Sequence, residues 1–343
     1  MITASPEVVV MGLLSFPHSS SLGSVAQQDM KRLNDLINDS TPDNTKRAYR
    51  ADLKDFISWC DQRKVRSLPA DHQTVALYVS SLVGAGKKPA TIKRRLAAIG
   101  KAHELSGTMN PCAHPVVKAA VRGYVMKVGA RPTQKSPITQ TEIKKIIAAC
   151  EGETLFELRN RALLLVGFAG AFRRSELVAL DVTDLEWSDE GVALVTRRGK
   201  SDQTGQGHVR AIPFVGGPTC AAVALAEWIN AAEIESGPVF RTLTRGGSVT
   251  PRRLDTGSVA LIVKSMVKGA GMDPAKYAAH SLRAGHVTEA RRQGIADSDT
   301  MATTGHKRVE TLDIYDRRNN PFQRGSAGAV LSGSPNAKTK HVR

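Results

Sequence analysis

A ten-residue stretch, Val128 to Pro137, divides this chain and limits what it can become. It reads Val-Gly-Ala-Arg-Pro-Thr-Gln-Lys-Ser-Pro, a Gly, Pro and basic composition that continues neither a helix nor a strand. Each side of it carries its own hydrophobic pattern. A chain of 343 residues is long enough for two domains, each burying a core. The predicted organisation is a tail over 1–40, a basic helical domain over 41–127, the linker, a second domain over 138–324 and a tail over 325–343.

The first patterned block reads as helices throughout. Thr41-Pro42 is a candidate helix start, after which Tyr49, Leu53, Phe56, Ile57 and Cys60 recur at helical spacing. A second helix is predicted over Asp71–Val83, a third from Pro89 to about Leu105 and a fourth from Pro115 to about Lys127. Charge is concentrated here. Between Thr41 and Arg131 there are 17 Lys/Arg and 6 Asp/Glu, so 17 − 6 = +11 of the chain's +16 falls in about a quarter of it. Such an excess predicts a polyanionic partner, nucleic acid first. Lys46, Arg47, Arg50, Lys87, Lys88, Lys93, Arg94 and Lys101 lie outside the apolar stripes and are the candidate DNA contacts.

Beyond the linker, Thr139-Gln140-Thr141-Glu142 fits a capping box, and a strongly apolar helix over Ala162–Ala171 runs into Arg173-Arg174-Ser175-Glu176-Leu177. Residues 192–197 and 209–214 alternate as two hairpin strands, with Lys200 in the polar loop between them. Helices are predicted around Ala221–Asn230, Gly257–Lys268 and Leu282–Gln293. The fold class is mainly α, with one small sheet in the second domain. The run Val8–Phe16 is too short to span a membrane and lacks a basic flank. The four cysteines are too scattered for a disulfide framework or a zinc site.

The stretch with the densest chemistry is His280-Ser-Leu-Arg283, then Thr304-Gly305-His306, then Tyr315. His280 and Arg283 share a helix face at i, i+3. A guanidinium matches the non-bridging oxygens of a phosphate, and an imidazole can bond the same group or move a proton. A tyrosine beside such a cluster is a candidate covalent nucleophile.

With Arg173, Lys200, His280, Arg283, His306 and Tyr315 in this order, the chain resembles the tyrosine recombinases, the family of phage integrases, Xer proteins and Cre, over about residues 41–332. Its length is closer to the simple two-domain Cre and Xer type than to the larger integrases. The resemblance implies a core DNA-binding domain, an α-rich catalytic domain of the DNA breaking-rejoining enzyme fold, and site-specific recombination through a 3′-phosphotyrosine. It implies that Arg173 and Arg283 clamp the scissile phosphate and that Lys200 protonates the leaving 5′ oxygen. It further implies that His280 is the acid/base, that His306 donates to a phosphate oxygen and helps place Tyr315, and that Tyr315 attacks. Glu176 would orient Arg173, and Arg174 is an extra DNA contact or a surface charge. The bond energy is stored as phosphotyrosine and five cationic or imidazole groups surround the phosphate, so no cofactor and no metal is expected. The expected partners are double-stranded DNA with an inverted-repeat site and three further copies of the chain, a tetramer on two sites. A place in the cytoplasm at the nucleoid, and no membrane, complete that expectation. The 325–343 tail is a candidate for docking onto a neighbouring copy. The alternatives are a telomere resolvase, a type IB topoisomerase-like enzyme, or a silent DNA-binding architectural protein.

Overall fold

The computed structural model describes Arg32 and residues 41–129, 134–150, 152–196 and 207–315. The chain divides into two compact units, 1–132 and 133–343.

In the first unit four helices carry the fold: α1 (Asp43–Gln62), α2 (His72–Gly84), α3 (Pro89–Leu105) and α4 (Pro115–Val128). Their apolar stripes meet in one core of Leu53, Phe56, Cys60, Val75, Tyr78, Val79, Leu82, Ile92, Ile99 and Val117. Helix α1 starts one residue later than Thr41-Pro42 suggests. Pro42 has extended ψ and is itself the N-cap, its carbonyl receiving the N–H groups of Thr45 and Lys46. Asp71 caps α2 by accepting from Thr74 N–H at 2.6 Å. His103 is 1% exposed, donates Nδ1–H to Ile99 O and accepts Ala70 N–H at Nε2. That is a neutral ring used as a staple, and burial lowers its pKa.

The basic residues of this unit are not equivalent. Arg47, Arg50, Lys87, Lys88, Lys93 and Lys101 are exposed, and Lys46 is half-buried with Asp43 3.3 Å from its Nζ. Arg94 is also exposed, but its guanidinium reaches a buried partner: it donates to Asp52 Oδ1 at 3.0 Å, and the Asp52 side chain is 3% exposed. Arg95, which the sequence pattern passed over, lies 3.8 Å from the same carboxylate and bonds Asp55 and the Tyr78 hydroxyl. This network joins α1, α2 and α3 by charge.

The second unit is built around α6 (Leu155–Ala169), where Leu163, Leu164, Leu165 and Val166 are all buried. A helix apolar on every side belongs inside a core. It opens on a capping box of Thr154 and Glu157 and ends at Ala169 rather than Ala171, because Ala171 turns to φ +48°. Packed around it are α5 (Gln140–Ala148), short α7 (Arg174–Ala179), α8 (Ala221–Ala231), α9 (Thr256–Gly269) and α10 (His280–Arg292). The Thr139–Glu142 capping box forms. Helices α11 (Asp297–Thr304) and α12 (Val309–Tyr315) close the described chain.

Among the described residues two sheets are present where one was expected. Strands β1 (Leu185–Ser188), β2 (Gly191–Thr196) and β3 (His208–Pro213) form an antiparallel sheet, with Leu185 opposite Leu194 and Thr196 opposite His208. Strands β4 (Arg241–Leu243) and β5 (Val249–Arg253) form a separate ribbon. It escapes sequence reading because it is short and lacks alternation. What anchors it is Arg253, which bonds Val178 O, Leu180 O and Asp181. The helical piece expected around Gln27–Ile37 lies outside the described residues except for Arg32, and the 325–343 tail lies wholly outside them.

Because Arg94 faces a buried carboxylate, Arg94→Ala is expected to lower stability by about 1–3 kcal/mol. Lys93→Ala and Lys101→Ala should stay within about 0.5 kcal/mol. Urea unfolding of the three variants checks this, and equal midpoints for all three would remove Arg94 from the fold's support.

Candidate active site

Helix α10 can approach the start of the second unit because residue 285 is glycine. A Cβ there would lie 1.8 Å from Ile138 O, and Ile138 N–H donates to Ser281 O at 2.9 Å. Ser281 Oγ also accepts Ala278 N–H just ahead of the helix. Glu142 on α5 receives the Tyr277 hydroxyl at 2.6 Å, and Glu289 on α10 receives Gln140 N–H. With α10 fixed at both ends, Arg283 points into the unit and is 0% exposed.

Arg283 is met by carbonyls, not by a carboxylate. Nη1 donates to Ala171 O at 2.5 Å, and Nη2 donates to Thr304 O and to His306 Nε2, both at 2.8 Å. The left-handed backbone of Ala171 costs about 1–2 kcal/mol for a residue with a Cβ, and it delivers that first carbonyl. Nε is buried with no hydrogen-bond partner among the described residues. Burial chiefly, with the Arg173 charge next, lowers the Arg283 pKa to about 10, which leaves it protonated at neutral pH.

His306 is 6% exposed. Arg283 has no lone pair to offer, so Nε2 must accept and Nδ1 carries the proton, which it donates to Thr304 Oγ1 at 2.8 Å. Burial first, then Arg283 and Arg173, depress its pKa to about 3. Donation from Nε2 to a phosphate oxygen therefore requires Arg283 to turn away and the ring to change tautomer. The turn that carries His306 is set by Gly305, at φ +69°, whose N–H closes α11 on Met301 O.

The Tyr315 ring lies among these groups. Its centroid is 5.1 Å from His306, 6.4 Å from His280 and 5.5 Å from Arg283 Cζ. His280, exposed at the start of α10, meets it nearly edge-on. Arg291 on α10 holds the helix that bears the tyrosine. It bonds Asp313 at 2.6 Å and Asp297 at 2.9 and 3.0 Å, while Thr288 Oγ1 donates to Tyr315 O.

Across from Arg283, Glu176 on α7 joins two arginines. Its Oε1 accepts from Arg173 Nη1 at 2.6 Å, and its Oε2 accepts from Arg173 N–H at 3.1 Å and Arg210 Nη2 at 3.0 Å. Burial would raise its pKa, but Arg210 and Arg173 outweigh burial and hold the carboxyl below its ordinary value. Of the adjacent pair, Arg173 joins the cluster through Glu176 and Arg174 is exposed. Of the six ordered residues, five are brought to this region of the second unit. Lys200 lies outside the described residues. Arg210 was missed because a charged residue in an alternating strand reads as outward-facing. Here it lies on the inner face with Ile212, both 2% exposed, while Val209 is 57% exposed.

Two histidines of α10 and its surroundings make the unit acid-sensitive. His286 donates Nδ1–H to Phe168 O, and burial first, with the Arg283 charge adding to it, lowers its pKa to about 4. A histidine depressed in the folded state stabilises fully above its unfolded value of about 6.5, and that stability is lost as pH falls toward the folded value. Between pH 7 and pH 5, His286 and His306 should each remove roughly 2 kcal/mol. Chemical denaturation at the two pH values measures this, and His286→Gln, which keeps a donor but does not titrate, should shrink the difference by roughly 2 kcal/mol.

Residues 137–321 match the phage integrase family, and residues 33–104 match the phage integrase N-terminal SAM-like domain. A protein described as an integrase/recombinase XerD homologue from Selenomonas ruminantium is 38% identical over 83% of this chain and 84% of its own length. Among solved structures, the XerH site-specific recombinase bound to a palindromic difH substrate, in a post-cleavage complex, aligns with TM-score 0.62 at 15% identity, over 95% of this chain and 94% of that one. The Tn1549 transposon integrase in complex with transposon right-end DNA aligns with TM-score 0.61 at 14% identity, over 90% and 98%. The two structures share the α-rich breaking-rejoining fold. With over half of it matched by the family model, and a relative this similar along most of its length, the chain belongs to the phage integrase family, that of the tyrosine recombinases.

Proposed function

We propose that this recombinase cuts and rejoins duplex DNA at specific inverted-repeat sites, with Tyr315 as the nucleophile and a 3′-phosphotyrosine as the intermediate. The observation that carries this reading is the enclosure of the Tyr315 ring by His280, Arg283 and His306. The unspent donors of Arg283 support it. Among the described residues, three of its five N–H groups find acceptors and the Nε–H is buried without a partner. A phosphate oxygen satisfies that donor.

In this mechanism Arg283 and Arg173 hold the non-bridging oxygens and stabilise the charge that grows on them at the pentacoordinate stage. The Tyr315 oxygen bonds to phosphorus as the P–O5′ bond breaks. His280, at the mouth of the site, takes the phenolic proton, and Lys200 gives one to the departing 5′ oxygen. His306 keeps Arg283 and Tyr315 in place and bonds the phosphate once Arg283 has turned to it. Rejoining reverses each step. Exchange between two duplexes cleaves four strands with one tyrosine each, which calls for four protomers. The first unit supplies the non-specific hold through Lys46, Arg47, Arg50, Lys87, Lys88, Lys93, the outer part of Arg94, and Lys101, and Arg174 adds a contact from the second unit. The 325–343 tail joins one protomer to the next. Such an enzyme works where the genome is, at the nucleoid in the cytoplasm.

A nicked duplex carrying a binding site recovered from a randomised pool provides the substrate, because loss of the short fragment traps the covalent complex. Wild-type protein should give a protein–DNA band on a denaturing gel. Tyr315→Phe should bind the same duplex within about threefold and give no band, since only the hydroxyl is removed. A band of normal yield from that variant moves the nucleophile elsewhere.

Lys200→Ala should slow cleavage at least 100-fold, in the range of a lost general acid. A 5′-bridging phosphorothiolate should restore most of the rate, because a thiolate leaves without a proton. If the sulfur substrate is cleaved as slowly as the natural one, the proton comes from another residue.

A further inference from the structure

Arg210 lies on β3, in no part of the ordered set that identifies the family, and is nearly as buried as Arg283. Its guanidinium is fixed on every side. Nε donates to Thr303 O at 3.1 Å, Nη1 to Thr196 Oγ1 at 2.9 Å and Nη2 to Glu176 Oε2 at 3.0 Å. One face lies over the Phe172 ring, with Cζ 4.4 Å from its centroid. His208 donates to the same Thr303 carbonyl at 3.2 Å, so the anchor is itself held. Arg210 thus joins the three-stranded sheet, the end of α11 and the start of α7.

We infer that Arg210 is a positioning residue for DNA cleavage, acting through Glu176 to present Arg173 to the scissile phosphate. This rests on the reading of Arg173 as a phosphate clamp. The carboxylate of Glu176 is shared: one oxygen takes the Arg173 side chain, and the other takes both the Arg173 N–H and Arg210. Two effects follow. Geometrically, Arg210 fixes the plane of the carboxylate and so the direction of the Arg173 guanidinium. Electrostatically, Arg210 offsets the charge of Glu176. The cluster of Arg173, Arg210 and Arg283 with Glu176 carries three positive charges and one negative. Without Arg210, Glu176 turns its full charge on Arg173 and weakens the field that a phosphate meets. A lysine cannot replace it, because a single ammonium lacks the planar fork that reaches three acceptors at fixed angles.

The test compares two substrates, three single variants and one double variant in the full chain. The substrates are the nicked binding-site duplex with a natural scissile phosphate and the same duplex with a neutral methylphosphonate there. The variants are Arg210→Met, Arg210→Lys and Arg173→Ala, each first compared with wild type by circular dichroism and by affinity for the uncut duplex. On the natural phosphate, Arg210→Met should cleave about 100-fold more slowly, the loss that follows when a reacting group is misplaced by about 1 Å. Its affinity should remain within a few-fold, and the double variant with Arg173→Ala should be no slower than Arg173→Ala alone. On the methylphosphonate, which has no anionic oxygen for Arg173 to neutralise, all three single variants should cleave close to the wild-type rate. Should Arg210→Met not fold, Arg210→Lys keeps a cation beside Glu176 and should show the same pattern with a smaller deficit.

A deficit of equal size on both substrates, with Arg173→Ala recovered on the neutral one, would mean that Arg210 does not act through Arg173, and the inference fails. A wild-type rate for the folded Arg210 variants on the natural phosphate overturns it as well. If Arg173→Ala is not recovered on the neutral substrate, the reading of Arg173 itself is wrong, and this inference falls with it.

Discussion

A guanidinium stays protonated at neutral pH even when burial works against it, so a protein that buries one must surround it with acceptors. Arg283 sets that condition for the second unit. Its acceptors are the carbonyls of Ala171 and Thr304 and the Nε2 lone pair of His306. Each of these exists only because another feature provides it. Ala171 takes a left-handed conformation between α6 and α7. Thr304 is the last residue of α11, and helix ends leave such carbonyls without internal partners. His306 follows the turn at Gly305. The three segments meet at one guanidinium, and that meeting determines where Arg173, His306 and, through α12, Tyr315 stand.

The same arrangement explains why the region suits an anion. Carbonyl dipoles satisfy the hydrogen bonds of Arg283 without cancelling its charge, which a carboxylate would do. The only carboxylate in direct contact with this group of arginines among the described residues, Glu176, is already divided between Arg173 and Arg210. Positive charge is therefore concentrated and held in place before any ligand arrives. Preorganised charge of this kind is worth most where charge develops during reaction. The cost falls on stability: three guanidinia repel one another, and His306 and His286 are kept neutral by the same burial and charge.

The first unit uses arginine for a second purpose. Arg94 and Arg95 converge on Asp52 between helices, whereas Lys93 and Lys101 on the same helix remain exposed. A basic helix can thus divide its charges between holding the fold and meeting a polyanion. Arg94, itself exposed, and half-buried Arg95 extend planar, multiply bonding guanidinia to the buried carboxylate, while Lys93 and Lys101 make no such contact.

The helices of both units are legible in the sequence, because helix formation is read from a local period and from caps such as Asp71 and the Thr139–Glu142 box. So is the ordered set from Arg173 to Tyr315, since residue types and spacing carry it. What the tertiary structure decided is of another kind. The sequence does not distinguish Arg173 from Arg174, or Lys93 from Arg94; each pair sits on adjacent positions of one helix or its cap. Only the partner across space, Glu176 in one case and Asp52 in the other, separates them. Arg210 shows the same limit more sharply. Period-two alternation allows either face of β3 to be the inner one, since Val209 stands on one and Ile212 shares the other with Arg210. The buried carboxylate of Glu176, 34 positions earlier in the chain, makes the face with Arg210 the favourable one, because leaving that charge without a partner costs more than leaving a valine in water. Local pattern determined which elements form. Long-range compensation of buried charge decided which side chains face inward, and with them the shape of the site.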